Sequence, residues 1–270
     1  MYISTYEETW LSDMDDLAQQ TVAAGRNLYL LVDGAFSPGL YRHFQYLDIK
    51  LLFRSLPGCD AKADDVSPFL VGYEGGGAVK RALQRCSGWP MISLIDSAEP
   101  LELLAERLSR WCIVEADNQF FNLRYADTRR LPAIYSTLTA QQRSNMLGDA
   151  RSLWFMGRDG KWALLPIKAA AAEAVTTDIP RLDIHQYSRL IEDSITDEIL
   201  SVLKDRGHAV ESAPFRYYRS VVDAVSVAGG DLDWYDLVQW VDDWMSSTGV
   251  HQKPPSRDDY LTWRAEWTED

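Results

Sequence analysis

Two aspartates are the residues of this sequence best placed to do chemistry. Asp33 and Asp96 each follow a continuous apolar run that is typical of a buried strand. Open α/β sheets hold their ligands at the carboxyl ends of parallel strands, so the two carboxylates could serve a metal-dependent phosphoester hydrolase. A signature of the form Asp-x-Asp is incomplete, because Gly-Ala follows Asp33. Since aspartate also caps turns at strand ends, the hydrolase is kept as the alternative hypothesis.

Other catalytic and metal-binding signatures are incomplete or missing. Gly75, Gly76 and Gly77 precede a predicted helix, where backbone amides can cradle a phosphate, but they fit neither GxxxxGK[ST] nor GxGxxG. There is no GxSxG elbow, the four histidines lie far apart, and the three cysteines form no CxxC pair. We therefore expect no catalytic residue, no metal and no cofactor, and a protein that is not an enzyme.

Charge and composition favour protein partners. The net charge is −13, with five acidic residues and no basic residue in the first 25 positions. Such a field repels nucleic acid and anionic membrane surfaces, so neither is expected as a partner. No apolar run approaches the roughly 20 residues that span a bilayer, and the N-terminus lacks the basic residues of a secretion signal. A cytoplasmic protein is expected, although acidic ends can also serve solubility alone.

Apolar runs alternate with helical patterns through the first 167 residues. Strands are predicted at 28–33, 49–54, 68–73 and 91–96, and a hairpin at 153–165 around the turn Gly157–Gly160. Thr139 and Gln142 fit a capping box at the start of a helix. This alternation predicts an α/β fold with an N-terminal mixed, mostly parallel sheet and flanking helices, followed by a smaller all-helical C-terminal lobe.

Composition shifts divide the chain further. The predicted segments are an acidic N-terminal segment at 1–24, an α/β lobe at 25–167, a linker at 168–182, a helical lobe at 183–250, and an acidic, Trp-containing tail at 251–270.

Five of the ten tryptophans fall near the C-terminus, and aromatic side chains dominate both cores and interfaces. Trp240 and Trp244 share a helical stripe with aliphatic residues, which favours the core, whereas Trp263 and Trp267 could anchor a partner or dock back on the body. The candidate partner-binding residues are Trp234, Trp240, Trp244, Trp263 and Trp267.

Several segments resemble the effector adaptors of bacterial type VI secretion, the Tap or Tec chaperones, whose defining domain was long described as one of unknown function. The likeness lies in YLLVDGAFSPGLY (29–41), SPFLVGY (67–73), GWPMISLIDS (88–97), FNLRYADTRRLPAIYSTL (121–138) and LTAQQRSNMLGDARSLWF (138–155). The resemblance implies a protein that binds a toxic effector and loads it onto a VgrG-type spike protein. It implies no turnover and no cofactor.

The most specific of these segments matches a strand-to-helix pattern of the adaptors. Arg124, Tyr125, Asp127 and Arg129 occupy its positions, while Ala126 and Thr128 depart from it. An Arg-Asp-Arg set at such a junction can pair charges and cap a helix, so we expect these residues to be structural.

Overall fold

The computed structural model describes residues 3–167, 178–230, 232–248 and 254–267. The chain forms two compact units, Ile3–Glu192 and Asp193–Asp270. Most of the predicted linker 168–182 and both ends of the predicted tail 251–270 lie outside the described residues. The segment limits drawn from the sequence therefore stay a prediction.

A six-stranded sheet organises the first unit. Its strands follow the order β2-β3-β1-β4-β7-β8, and each neighbouring pair is antiparallel. The strands are β1 Asn27–Val32, β2 Ile49–Leu51, β3 Phe69–Gly72, β4 Ile92–Ser97, β7 Ala150–Met156 and β8 Trp162–Pro166. A two-stranded hairpin of β5 Ile113–Ala116 and β6 Gln119–Asn122 stands apart from it. The prediction of a mixed, mostly parallel sheet is therefore wrong.

The reason for this error is the burial of the central strands. Residues Leu28 to Val32 of β1 and all six residues of β4 are buried, because one apolar cluster covers each face of the sheet. A strand covered on both faces has a continuous apolar run whichever way its neighbours point. The run locates the strand without giving its direction.

Helices and short turns cover the two faces of the sheet. The helices of this unit are α1 Trp10–Ala23, α2 Ala61–Val66, α3 Gly77–Leu83, α4 Leu101–Arg110, α5 Leu131–Thr137 and α6 Ala140–Leu147. Trp10, Met14 and Ala18 of α1 are buried at helical spacing against one face of the sheet. Within the segment described from sequence only as acidic, the structure thus places a packed amphipathic helix.

Local signals in the sequence proved reliable. The predicted capping box is confirmed, with Thr139 and Gln142 each bonding the other's backbone amide at the start of α6. The predicted hairpin is confirmed as β7 and β8. Both signals depend on neighbours within a few residues, which the sequence displays directly.

The second unit is built from helices. They are the C-terminal part of α7 Ile184–Asp205, followed by α8 Pro214–Ala228, α9 Trp234–Thr248 and α10 Arg257–Trp267. Their core includes Ile199, Leu203, Val221, Trp240 and Tyr260. In the described part of the chain, no helix is both long and apolar enough to cross a membrane.

The three cysteines differ in accessibility, which gives a testable prediction. Cys86 and Cys112 are buried, and burial raises the pKa of each thiol to about 12, whereas Cys59 is exposed. Because the thiolate is the nucleophile, iodoacetamide should modify Cys59 alone in the folded protein. Peptide mass spectrometry checks this, with urea-unfolded protein as the control in which all three react. Rapid native labelling of Cys86 or Cys112 would contradict it.

Candidate functional site

Asp33 lies buried at the end of β1, where it forms the centre of a charged cluster. Its Oδ1 accepts a hydrogen bond from the Ala35 amide, which caps a short 3₁₀ helix at Gly34–Phe36. Its Oδ2 accepts a hydrogen bond of 2.9 Å from Arg124, 91 residues further along the chain. Burial raises the pKa of Asp33, and the positive charge of Arg124 works against that rise. The ion pair ties the segment after β6 to the end of β1.

Asp127 and Arg129 form the second pair of the cluster. Arg129 donates from Nε to Oδ1 at 3.0 Å and from Nη2 to Oδ2 at 2.7 Å, a bidentate arrangement that fixes both side chains. The guanidinium groups of Arg124 and Arg129 lie 5.2 and 5.5 Å from the ring centre of Phe36. Two carboxylates and two guanidinium groups are thus held together, and both guanidinium groups lie near the same aromatic ring.

The neighbouring backbone closes around this cluster. The Asp33 amide donates to Met91 and the Thr128 amide donates to Pro90, while Trp89 packs 5.8 Å from Phe36. Ser67 approaches from another direction, since its carbonyl oxygen would lie only 2.2 Å from a Cβ added at Gly34. Four sequence segments therefore meet at the Asp33 end of the sheet: 29–41, 67–73, 88–97 and 121–138.

We expect Gly34→Ala to disturb this convergence. The added methyl group would press on the Ser67 backbone, and overpacking of this kind costs about 1–3 kcal/mol. The matched control is Gly72→Ala, because a Cβ there meets no atom within 4 Å. Urea unfolding followed by circular dichroism compares the two variants. Equal stabilities would contradict the tight approach of Ser67 to Gly34.

The cluster presents one charged group to solvent. The Arg124 side chain is 45% exposed, while the side chains of Asp33 and Asp127 are almost fully buried. Tyr125 points into the core, where its hydroxyl donates to the Leu108 carbonyl at 2.7 Å. The arrangement neutralises its own charges and joins chain segments, and the Arg124 side chain stays partly exposed.

The structure does not bring Asp33 and Asp96 together. Asp33 follows the last residue of β1, whereas Asp96 pairs with Leu28, the second residue of the same strand. Five residues of strand separate the two positions, which is roughly 17 Å along the sheet. Asp96 instead binds Arg26, with 2.6 Å between Oδ1 and Nε. The two carboxylates would lie at one edge of the sheet only if β1 and β4 were parallel. Because the two strands are antiparallel, the carboxylates lie towards opposite edges.

Gly75, Gly76 and Gly77 are among the residues that line a cavity of about 500 Å³ near the start of β1. Tyr73 and Lys80, on either side of the glycines, both bind Asp15 of α1. No group of three or more His, Cys, Asp or Glu suited to a metal ion occurs among the residues that the structure describes.

The C-terminal tryptophans occupy three kinds of position within the helical unit. Trp240 is 2% exposed and donates to the Ala224 carbonyl at 3.0 Å. Trp263 packs 5.5 Å from Trp240 and donates to Asp243, and Trp244 packs 5.9 Å from Trp240. Trp267 stacks on Trp263 at 5.5 Å and is 40% exposed.

Trp234, at the start of α9, is also exposed, and Tyr235 beside it is more so. Four of the five tryptophans thus form one aromatic cluster that runs from the buried Trp240 to the exposed Trp267, and Trp234 lies outside this cluster. Trp267 and Trp234 are the members accessible to a partner, and their predicted role in binding stays a prediction.

One feature had no signal in the sequence. Arg107 of α4 and Glu99, two residues before that helix, form a buried ion pair with 2.8 Å between Nε and Oε2. Gly148 lies against the Glu99 carboxylate, since a Cβ there would be 2.3 Å from Oε2. The eight-residue spacing of the pair and the distance to Gly148 match no motif, so only the fold reveals them.

Comparison with known families gives one match. Residues 28–145, somewhat less than half of the chain, match the model of a family described as a domain of unknown function, DUF4123. The matched region includes β1 apart from Asn27, β2 to β6, and the whole Asp33 cluster. Comparisons with curated proteins and with solved structures find no match.

Proposed function

We propose that this protein is an adaptor, or chaperone, that binds a type VI secretion effector in the cytoplasm and helps to load it onto a VgrG-type spike protein. It works by offering a shaped surface to another polypeptide, without catalysis and without a cofactor. Its partners are the effector and the spike, and neither nucleic acid nor insertion into a membrane is involved.

The observation that carries this proposal is the convergence of the motifs at the end of β1. DUF4123 is the family associated with type VI effector adaptors, and its match covers that convergence. The segments that resemble the adaptors are far apart in sequence, yet Asp33, Arg124 and Pro90 lie in one bonded network. The residues that carry the resemblance thus form one connected structure in this chain, and that connection supports the proposal more strongly than separate similarities would.

The surface of the molecule also suits reversible protein binding. A few aromatic or arginine anchors usually dominate the energy of an interface. Trp234 and Trp267 are exposed in the helical unit, and Arg124 is half exposed in the first unit. A client must be released at the spike, which favours a modest apolar contact with a polar rim over a large obligate interface.

Co-expression tests the proposal. The protein is produced with the effector encoded beside its gene, purified by a tag on the effector, and then mixed with the matching spike protein. We expect a stable complex of protein and effector that survives gel filtration, followed by transfer of the effector to the spike.

Two results would contradict the proposal. One is the absence of any complex with either effector or spike when all three are folded. The other is phosphoester hydrolysis by the purified protein that disappears in Asp33→Asn and Asp96→Asn variants of unchanged fold. The second result would favour the hydrolase over the adaptor.

A further inference from the structure

A small groove lies between α1 and the last strands of the sheet. It has a volume of about 310 Å³. Helix α1 contributes carboxylate, amide and apolar side chains, and the sheet contributes two indoles and a buried leucine. The side chains used here are Asp13, Asp16, Leu17, Leu94, Trp154 and Trp162.

The charges of the groove are of one sign. Among the described residues that line it, Asp13 and Asp16 are the ionisable ones, and both are exposed. Asp13 accepts a hydrogen bond from Thr9, but neither carboxylate pairs with a lysine or arginine anywhere in the described ranges. Two carboxylates beside two indoles form a setting that attracts a cation, through charge and through the faces of the rings.

An open sheet edge adjoins the groove. Strand β8 is the last strand in the sheet order, so within the described chain its second side pairs with no strand. Leu164 of β8 lies opposite Trp154, on the groove side, and is 44% exposed. Edge strands are usually protected by charge, proline or cover. Within residues 161–166, Lys161 and Pro166, at the two ends, are the residues of that kind.

The hydrogen-bond pattern shows which backbone groups are free at that edge. Across the β7–β8 ladder, the Gly157 amide donates to the Lys161 carbonyl, and the Ile167 amide donates to the Arg151 carbonyl. Bonded and non-bonded pairs alternate in an antiparallel ladder, so the amides and carbonyls of Trp162 and Leu164 point away from β7. An added strand can therefore bond to both residues without disturbing β7.

We propose that β8 and this groove bind an extended segment of the client polypeptide that carries a lysine or arginine. The segment adds a strand to β8, and its basic side chain lies across Trp162 towards Asp13 and Asp16. Charge complementarity selects this occupant, because a purely apolar segment would bury both carboxylates without a partner. The proposal deepens the adaptor function and rests on it.

A synthetic peptide tests the binding mode. The probe is a short peptide of alternating threonine and valine with a central lysine, and its counterpart carries glutamate in that position. Both are titrated into the isotope-labelled full chain and followed by NMR. We expect shifts at the indoles of Trp154 and Trp162 and at the amides of β8, with the lysine peptide about tenfold tighter.

Matched variants separate the two parts of the site. Asp13→Asn with Asp16→Asn should remove the preference for lysine, whereas Glu8→Gln with Glu74→Gln, an equal change of charge outside the groove, should keep it. Leu164→Pro removes only an outward amide and should abolish binding, while Leu164→Thr retains the amide and should bind. Thermal unfolding of each variant confirms that the fold is intact.

The inference is overturned if the two peptides bind equally, if no shift appears at β8, or if β8 pairs with a second copy of the chain in sedimentation experiments. The adaptor function survives each of these outcomes when the effector still co-purifies, and the client then binds elsewhere. If the effector does not co-purify but the lysine peptide binds as described, peptide binding by β8 and the groove is supported and the adaptor function is contradicted.

Discussion

Replacing Arg107 with methionine is expected to destabilise the first unit by about 3–5 kcal/mol. The Arg107 side chain is 4% exposed, and its partner Glu99 is nearly as buried. Removing the cation leaves a carboxylate in the interior without its counter-charge. The Glu99 carboxylate has little room on the side of Gly148, which it already contacts closely. Urea unfolding, with hydrogen exchange of β4 amides to assign the loss to this unit, measures the effect.

The same helix supplies the control. Arg110 pairs with Glu106, but Glu106 is more than half exposed, so Arg110→Met should cost about 1 kcal/mol or less. The double variant Glu99→Leu with Arg107→Met should recover much of the lost stability, because no unpaired charge remains. A small cost for Arg107→Met alone would mean that water reaches Glu99.

Replacing each of two tryptophans of the helical unit with alanine should lower its stability by very different amounts. Trp240→Ala removes a buried indole and its hydrogen bond to Ala224, and should cost about 3–5 kcal/mol. Trp267→Ala removes an exposed ring stacked on Trp263, and should cost about 1 kcal/mol or less. If Trp267 anchors the client, its affinity should fall about tenfold or more. Urea unfolding and calorimetric titration of the effector measure the two effects.

The pair of variants distinguishes core from interface. Unchanged client binding by folded Trp267→Ala would remove that residue from the proposed contact surface. Trp234→Ala then tests the second exposed indole in the same way, since Trp234 lies outside the aromatic cluster.

The sequence located the elements better than their arrangement. β1, β4 and the β7–β8 hairpin follow from apolar runs and turn residues, and the α6 cap follows from Thr139 and Gln142. Strand direction did not follow, because continuous burial hides the alternation that marks an antiparallel strand. Helix α1 was described only as acidic, since its outward carboxylates concealed the buried Trp10, Met14 and Ala18.

The candidate site was only partly visible in the sequence. The motif around Arg124 and Asp127 was recognised, and a charge pairing was expected inside it. Its link to Asp33 depends on a contact across 91 residues, for which no local pattern exists. The groove beside β8 combines acids of α1 with indoles that lie far along the chain. Such combinations are created by folding and have no signature in a single sequence.

The strand order also determines when the sheet of the first unit can fold while the chain is being synthesised. β1 pairs with β3 and β4, and β4 pairs with β7, so most of the sheet joins segments distant in the chain. Non-local pairing slows folding and leaves apolar strands open to aggregation while the ribosome is still extending the chain. Within the six-stranded sheet of the described residues, only β7 and β8 are joined by a short connection. We therefore expect the sheet to close late in translation, when this hairpin emerges and covers β4.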